Sequence, residues 1–387
     1  MIKSDDFLSK CKEYGYTLFS GTPCSYLKPF INKVIDDKEL DFIEVTNEGD
    51  AVALVSGTWC AGKRGVVMFQ NSGLGNAINP LTSLSHTMKI PFIGIVTLRG
   101  EVGGAPDEPQ HELMGKITTS LLEQMEIPWK FFPTEDDQIE AYLKEAHEYC
   151  EKKRRPFFFV MKKASVEAYE LQSSTNTTKI EIPTLGKRES HLNGERVVTR
   201  TQALSQVKEF YGNKIPVVAT TGKTGRELFE LGDSENQFYM VGSMGCALPI
   251  GLGIAHSGRK VCVADGDGAV MMRLGNLALA GQMKREGLLG KGSLVHVVLD
   301  NAVHDSTGGQ RSYSEHTDIT AIAQASGFDL SIEVDNEEDF QKALEKCDGQ
   351  KLSLIRYYIK KGSPKDLGRP TVKPYDVTER LHTFLQK

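Results

Sequence analysis

The chain has 387 residues, 40% of them hydrophobic, which suffices for two domains of ordinary size with packed cores. A net charge of −5 offers no global basic field for a nucleic-acid partner. Seven cysteines without a CxxC pair indicate neither a zinc site nor a disulfide framework, and no apolar run nears the ~18 residues of a membrane span, so a soluble cytoplasmic protein is expected.

In chain order, "MIKSDDFLSKCKEYGY" is charged and lacks an apolar signal core. Strand-like runs then alternate with helix-like ones. The strands are "YTLFSG", "DFIEVT", "GVVMFQN", "PFIGIVTL" and "PFFFVMKK". The helices are "SYLKPFINKVIDD", "DAVALVSGTWCAG" and "QIEAYLKEAHEYCEKKR", the last with a basic final turn. Residues 166–195 are polar and rich in Ser, Thr and Asn, and read as a linker between a domain at 1–165 and another at 196–387. Alternation resumes with strands "IPVVATTG", "QFYMVG", "KVCVADGDG", "LVHVVLDN" and "KLSLIRYYIKK", interspersed with "VTRTQALSQVKEFYG", "ALPIGLGIAHSG" and "DITAIAQASGF". Near-continuous apolar strands separated by helices predict an α/β fold of two domains, each a mainly parallel sheet covered by helices. In such sheets ligands bind beyond the carboxyl ends of strands, so the residues there carry the chemistry.

One such end is Asp265-Gly266-Asp267-Gly268, which runs straight into the helix-favouring "AVMMRLGNLALAGQMKRE". A strand, a glycine turn and a helix start form an anion site. A carboxylate in that place conflicts with a phosphate unless a divalent cation joins them, and magnesium commonly does so through oxygen ligands. The next strand ends in Asp300-Asn301, where Asn301 offers a neutral amide oxygen. Read as loop chemistry alone, Asp267 and Asn301 are ordinary turn or cap residues. Neither a dinucleotide fingerprint nor a Walker A is present: Met271 stands where the third glycine is needed, and no Gly-Lys-Ser/Thr follows.

Gly266-Asp267-Gly268 followed by Asn301 at the next strand end resembles the thiamine diphosphate motif, with a spacing somewhat longer than usual. The resemblance implies magnesium held by Asp267, Asn301 and the Val303 carbonyl. It places Thr221, Gly266, Gly268 and Ala269 against the cofactor. "VGSMG" at 241–245 resembles the segment under the thiazolium ring, with Met244 as the apolar wedge and the Gly242 carbonyl facing the pyrimidine amino group. Taken alone, Met244 is ordinary core filler. Glu48, in "EVTNEGDAV", has the place of the family's glutamate on the pyrimidine ring nitrogen; without the resemblance, Asn47 is a helix cap and Glu48 a favourable first-turn acid.

"QNSGLGNAINPLTSL", "RGEVGGAPDEPQH" and "LDNAVHDSTGGQ" resemble the phosphonopyruvate decarboxylases and the related sulfopyruvate decarboxylases over about residues 5–163 and 197–365. The resemblance implies decarboxylation of 3-phosphonopyruvate to phosphonoacetaldehyde and carbon dioxide. It also implies a homodimer or higher homo-oligomer whose sites lie between subunits. Another acidic 2-oxo acid, such as sulfopyruvate, or transfer to an aldehyde acceptor are the alternatives. Proton donors are sought in His111, His304 and the Thr307 hydroxyl. The phosphonate calls for Arg99, with Lys223, Arg226 and Arg311 as rivals and Asn71 and Ser72 as neighbouring donors. Cys24 stands where the family commonly has an aspartate, and the 99–111 segment carries an extra residue.

Overall fold

The computed structural model describes residues 1–173 and 184–387, in two compact units that part near residue 180. The first unit holds strands β1 (Tyr16–Gly21), β2 (Asp41–Glu44), β3 (Arg64–Gln70), β4 (Ile93–Thr97), β5 (Trp129–Phe131) and β6 (Phe157–Met161). They form one sheet in the order β2-β1-β3-β4-β6-β5, with every pairing parallel. Every residue of β4 and β6 is buried, as a sheet covered on both faces requires. On one face Phe7, Phe30, Phe132 and Phe159 interlock, with the Phe7 and Phe132 rings 4.7 Å apart. Burial of each such ring stabilises by about 1.5–3 kcal/mol.

Chain order reverses between β1 and β3, and the carboxyl ends of these strands are the crevice where ligands are expected. The helix Glu48–Cys60 begins beside it. Asn47 caps that helix, its Oδ1 accepting the Gly49 N–H at 2.9 Å, and this sets Glu48 in the first turn.

The second unit holds β7 (Lys187–His191), β8 (Val217–Ala219), β9 (Gln237–Tyr239), β10 (Lys260–Gly266), β11 (Ser293–Asp300), β12 (Val303–His304), β13 (Gln310–Arg311), β14 (Leu330–Val334) and β15 (Leu352–Tyr358). Seven make a parallel sheet ordered β7-β14-β15-β11-β10-β8-β9, while β12 and β13 form a small antiparallel ribbon. Here the order reverses between β8 and β10.

Two expectations change. The stretch read as a linker carries β7, which pairs with β14 along its whole length, and Val166, which bridges to Ile2 in the first unit. Residues 174–183 of that stretch lie outside the described residues. The segment after Gly268 is two helices, Asp267–Met272 and Gly275–Arg285, rather than one. Among the described residues no helix is long and apolar enough to cross a membrane.

Candidate active site

The carboxyl ends of β8, β10 and β11 surround a cavity of about 210 Å³ in the second unit. Thr221, Met244, Gly266, Asp267, Gly268, Ala269, Asn301, Val303, His304 and Thr307 all line it. Gly242 is not among the lining residues. Lys223 lines the cavity at the start of the helix Lys223–Glu230, where its charge and the free N–H groups favour an anion.

Asp267 is 3% exposed. Its Oδ2 accepts from the hydroxyls of Ser312 and Ser314, the latter at 2.9 Å. Ser314 Oγ also lies 3.1 Å from Asp300 Oδ1, so its one proton is shared between the two carboxylates, and Arg356 grips Asp300 Oδ2 through Nε at 2.8 Å and Nη2 at 2.6 Å. Burial, and then the charge of Asp300, push the Asp267 carboxyl above its usual range, with the two serine hydroxyls opposing. A buried carboxylate beside a second one is a place that favours a cation. No three His, Cys, Asp or Glu side chains cluster for a metal among the described residues. The Asp267 carboxylate and the Asn301 amide, both lining the cavity, offer oxygen donors of the kind that suit a hard ion such as magnesium.

Asn301 ends β11 and is buried. Its Nδ2 donates to Asp305 at 2.5 Å and its Oδ1 accepts the Val303 N–H at 3.1 Å. Ala302, between the two expected ligands, has a φ of 60°, and Ser243, inside "VGSMG", has a φ of 51°. These are the second unit's non-glycine residues with left-handed backbone among those described, and both lie at this site. Such strain concentrates where the surroundings over-determine a functional geometry.

The glycines differ in their reasons. A Cβ on Gly268 would lie 2.5 Å from His304 Cε1 and 3.4 Å from Met244 Cε, so only glycine lets both side chains approach. A Cβ on Gly266 would meet nothing within 4 Å, which leaves open space before the backbone where a diphosphate can come close. Thr220, also on the cavity wall, has a buried hydroxyl without a partner. The donors present thus fit a magnesium diphosphate group. The Thr307 hydroxyl donates to Gln310 at 2.9 Å. Arg311 is exposed and paired with Glu315, and Arg226 lies outside this cavity.

In the first unit Glu48 is half-buried, its Oε1 accepting from Thr22 Oγ1 at 3.0 Å and its Oε2 from Asn76 Nδ2 at 2.8 Å. A Cβ on Gly73 would stand 2.4 Å from that carboxyl group, so the glycine in "NSGLGN" makes room for Glu48. Cys24 is buried, with Sγ 3.4 Å from Gln70 Oε1 and 3.5 Å from Thr97 Oγ1. His111 is 6% exposed and its Nδ1 lacks a partner.

Arg99 is not the free cation expected for a phosphonate. Asp107 already holds it through Nε at 2.6 Å and Nη2 at 2.5 Å, Ser25 accepts from Nη1, and the guanidinium stacks on Tyr26 at 4.8 Å. The pairing holds the Asp107 carboxyl well below the usual carboxylate range. Asn71 is buried behind it, with Nδ2 bonded to the Arg99 carbonyl at 2.9 Å and to Thr118 at 3.0 Å. Ser72 is exposed and accepts from Gln70 Nε2 at 2.6 Å.

Ser312, Ser314, Arg356 and Asp305 are neighbours of the site that the sequence alone does not single out, and Asp300 stands there only as the residue before Asn301. One signal exists: Arg356 interrupts the apolar strand "LSLIRYY", and a buried arginine demands a buried acid.

The thiamine pyrophosphate enzyme C-terminal TPP-binding domain family matches residues 226–356. The chain is 39% identical to a phosphonopyruvate decarboxylase of Streptomyces hygroscopicus over 99% of this chain and 94% of that protein. It is 28% identical to a sulfopyruvate decarboxylase of Methanosarcina acetivorans over 97% and 95% of the respective chains. Among solved structures, a thiamine diphosphate-dependent 4-hydroxybenzoylformate decarboxylase of Rhodococcus jostii RHA1 superposes with a TM-score of 0.69 at 14% identity, covering 94% of this chain and 100% of that one, a likeness of fold.

Proposed function

Since the chain belongs to the phosphonopyruvate decarboxylase family, we infer that it is a thiamine diphosphate- and magnesium-dependent carboxy-lyase that converts 3-phosphonopyruvate to phosphonoacetaldehyde and carbon dioxide. The observation that carries the reading is the cavity of the second unit, where Asp267, Asn301 and Val303 converge beside the Met244 wedge. Asp267, Asn301 and the Val303 carbonyl hold the magnesium ion. Thr221, Gly266, Gly268, Ala269 and the helix start at Lys223 meet the diphosphate. Met244 would be the apolar wedge against the bound cofactor, and the Gly242 carbonyl would accept from its pyrimidine amino group.

When bound, thiamine diphosphate supplies the electron sink for the pair left by carbon dioxide. Glu48 exchanges a proton with the pyrimidine ring nitrogen, and Thr22 and Asn76 aim its carboxyl group. His111, His304 and Thr307 are the proton donors around the substrate carbonyl. Arg99 can meet the phosphonate only by exchanging Asp107 for it, which links substrate binding to the 100–108 segment. The working form is a homo-oligomer, at least a dimer, in which the Glu48 half-site of one copy serves the Asp267 half-site of another. Seven free, buried thiols support a reducing, cytoplasmic setting.

Phosphorus NMR of the full-length protein with phosphonopyruvate, thiamine diphosphate and magnesium tests the reading. Phosphonoacetaldehyde forming only with both additions supports it. Consumption of phosphonopyruvate only on adding an aldehyde acceptor replaces it with a carboligating transferase. No change in the spectrum rejects the substrate.

A further inference from the structure

We infer that Asp305 is a positioning residue, which fixes the side-chain amide of Asn301 so that its oxygen, and not its nitrogen, faces the cation. The inference rests on the reading of Asn301 as a magnesium ligand and adds what makes it one. The two ends of an asparagine amide are almost the same size, but only the oxygen can bind a cation, while the nitrogen only donates. Nothing in Asn301 itself selects between them. The choice is made by the neighbours.

Asp305 Oδ2 lies 2.5 Å from Asn301 Nδ2. An ionised carboxylate accepts hydrogen bonds and donates none. A flipped amide would set two acceptor oxygens against each other at that distance, so Asp305 excludes it. On the other side of the amide, Oδ1 accepts the Val303 N–H at 3.1 Å, which also opposes the flip and leaves a second lone pair for a metal. Val303 is the residue whose carbonyl is the third proposed ligand, so one amide links both.

The brace is itself held. Arg200 Nη2 reaches the same Asp305 oxygen at 2.5 Å, and the Gly362 N–H lies 3.2 Å from both Asp305 oxygens. Arg200 is 5% exposed, and its Nη1 is bound at 2.8 Å to Glu227, which is 1% exposed. Glu227 in turn accepts from Thr201 at 2.8 Å. Asp267 needs no equivalent device, because its two oxygens are chemically alike.

The test uses the full-length protein with saturating thiamine diphosphate and manganese as the probe, its free concentration followed by electron paramagnetic resonance. Asp305→Ala removes the acceptor that selects Nδ2, while Glu227 still pairs Arg200, so only the Val303 N–H opposes the flip. Its Kd for manganese should rise about 10- to 100-fold, the usual cost of losing an outer partner of a metal ligand. Adding Asn301→Asp to that variant should bring the Kd back to within a few-fold of the parent, because a carboxylate presents oxygen either way round. A residue that merely stabilises the fold predicts no such recovery. The inference is overturned if Asp305→Ala binds manganese within about twofold of the parent, or if the double variant fails to recover. Parent-like binding by Asn301→Ala overturns the ligand assignment itself, a separate result from failure at Asp305.

Discussion

The strand ends of the two units carry their polar groups in different ways. In the second unit each side chain proposed as a ligand is braced by a neighbour: Asp267 by Ser312 and Ser314 and Asn301 by Asp305, with the nearby Asp300 held by Arg356. Ser312, Ser314 and Arg356 are buried and Asp305 is half-buried, and Asp267 and Asn301 line one cavity. In the first unit the polar ends of the candidate groups are themselves taken up by neighbouring side chains. Arg99 is closed by Asp107, Glu48 sits between Thr22 and Asn76, and Cys24 lies against Gln70 and Thr97. The contrast is clearest between Asp300, gripped by the buried Arg356, and Arg99, whose partner Asp107 sits on a surface segment and can be exchanged for a substrate anion.

The comparison breaks first at Asp267. Asp267→Ala should weaken magnesium-dependent binding of thiamine diphosphate by at least about 100-fold, more than the loss of an outer partner, as read by calorimetry. Parent-like binding would remove the cation site from the second unit. Glu48→Gln is expected to leave that binding largely intact while turnover falls about 10²- to 10⁴-fold, the span for loss of a general acid or base. Deuterium exchange at the thiazolium carbon checks it, and exchange at the normal rate would take Glu48 out of the mechanism.

Next in size is stability. Arg356→Met takes the main cation from the buried Asp300, which keeps Arg196 at 3.5 Å, and should cost about 3 kcal/mol in urea unfolding, the lower end for removal of one partner of a buried pair. A loss of a few tenths would show that the brace is unimportant. Gly73→Ala forces a methyl group onto the Glu48 carboxyl and should cost about 1–3 kcal/mol, with turnover falling alongside. Unchanged turnover would mean that Glu48 tolerates displacement.

The smallest effect concerns the exchangeable pair. Arg99 depresses the Asp107 carboxyl, so its contribution is full above the unfolded carboxylate pKa of about 3.9 and is lost as pH falls below it. Asp107→Asn should therefore flatten the acid limb of the stability profile below about pH 4, with little change near neutrality in its slope. An acid limb identical to that of the parent would show that the pairing is not maintained in solution.

Much of this was legible in the sequence where physics is local. β1 and the core of β10 and β11 follow from apolar runs ending in polar turns, and Asp267 and Asn301 from their place at those ends. What stayed hidden is non-local. β7 is "KRESH", mostly exposed, and is a strand only because β14 offers it a ladder. Ser312 and Ser314 sit in "RSYSEH", a polar loop with no motif, and gain a role only because the chain returns them to Asp267. Arg99 follows a strand as a phosphonate ligand should, but local sequence does not reveal that Asp107, eight positions on, folds back to claim it.

The most direct measurement is carbon dioxide release from phosphonopyruvate, sulfopyruvate and pyruvate, each with and without thiamine diphosphate and magnesium. The account predicts release that depends on both additions and is fastest with phosphonopyruvate. Faster release from sulfopyruvate or pyruvate would contradict the substrate assignment, and release independent of the cofactor would contradict the site.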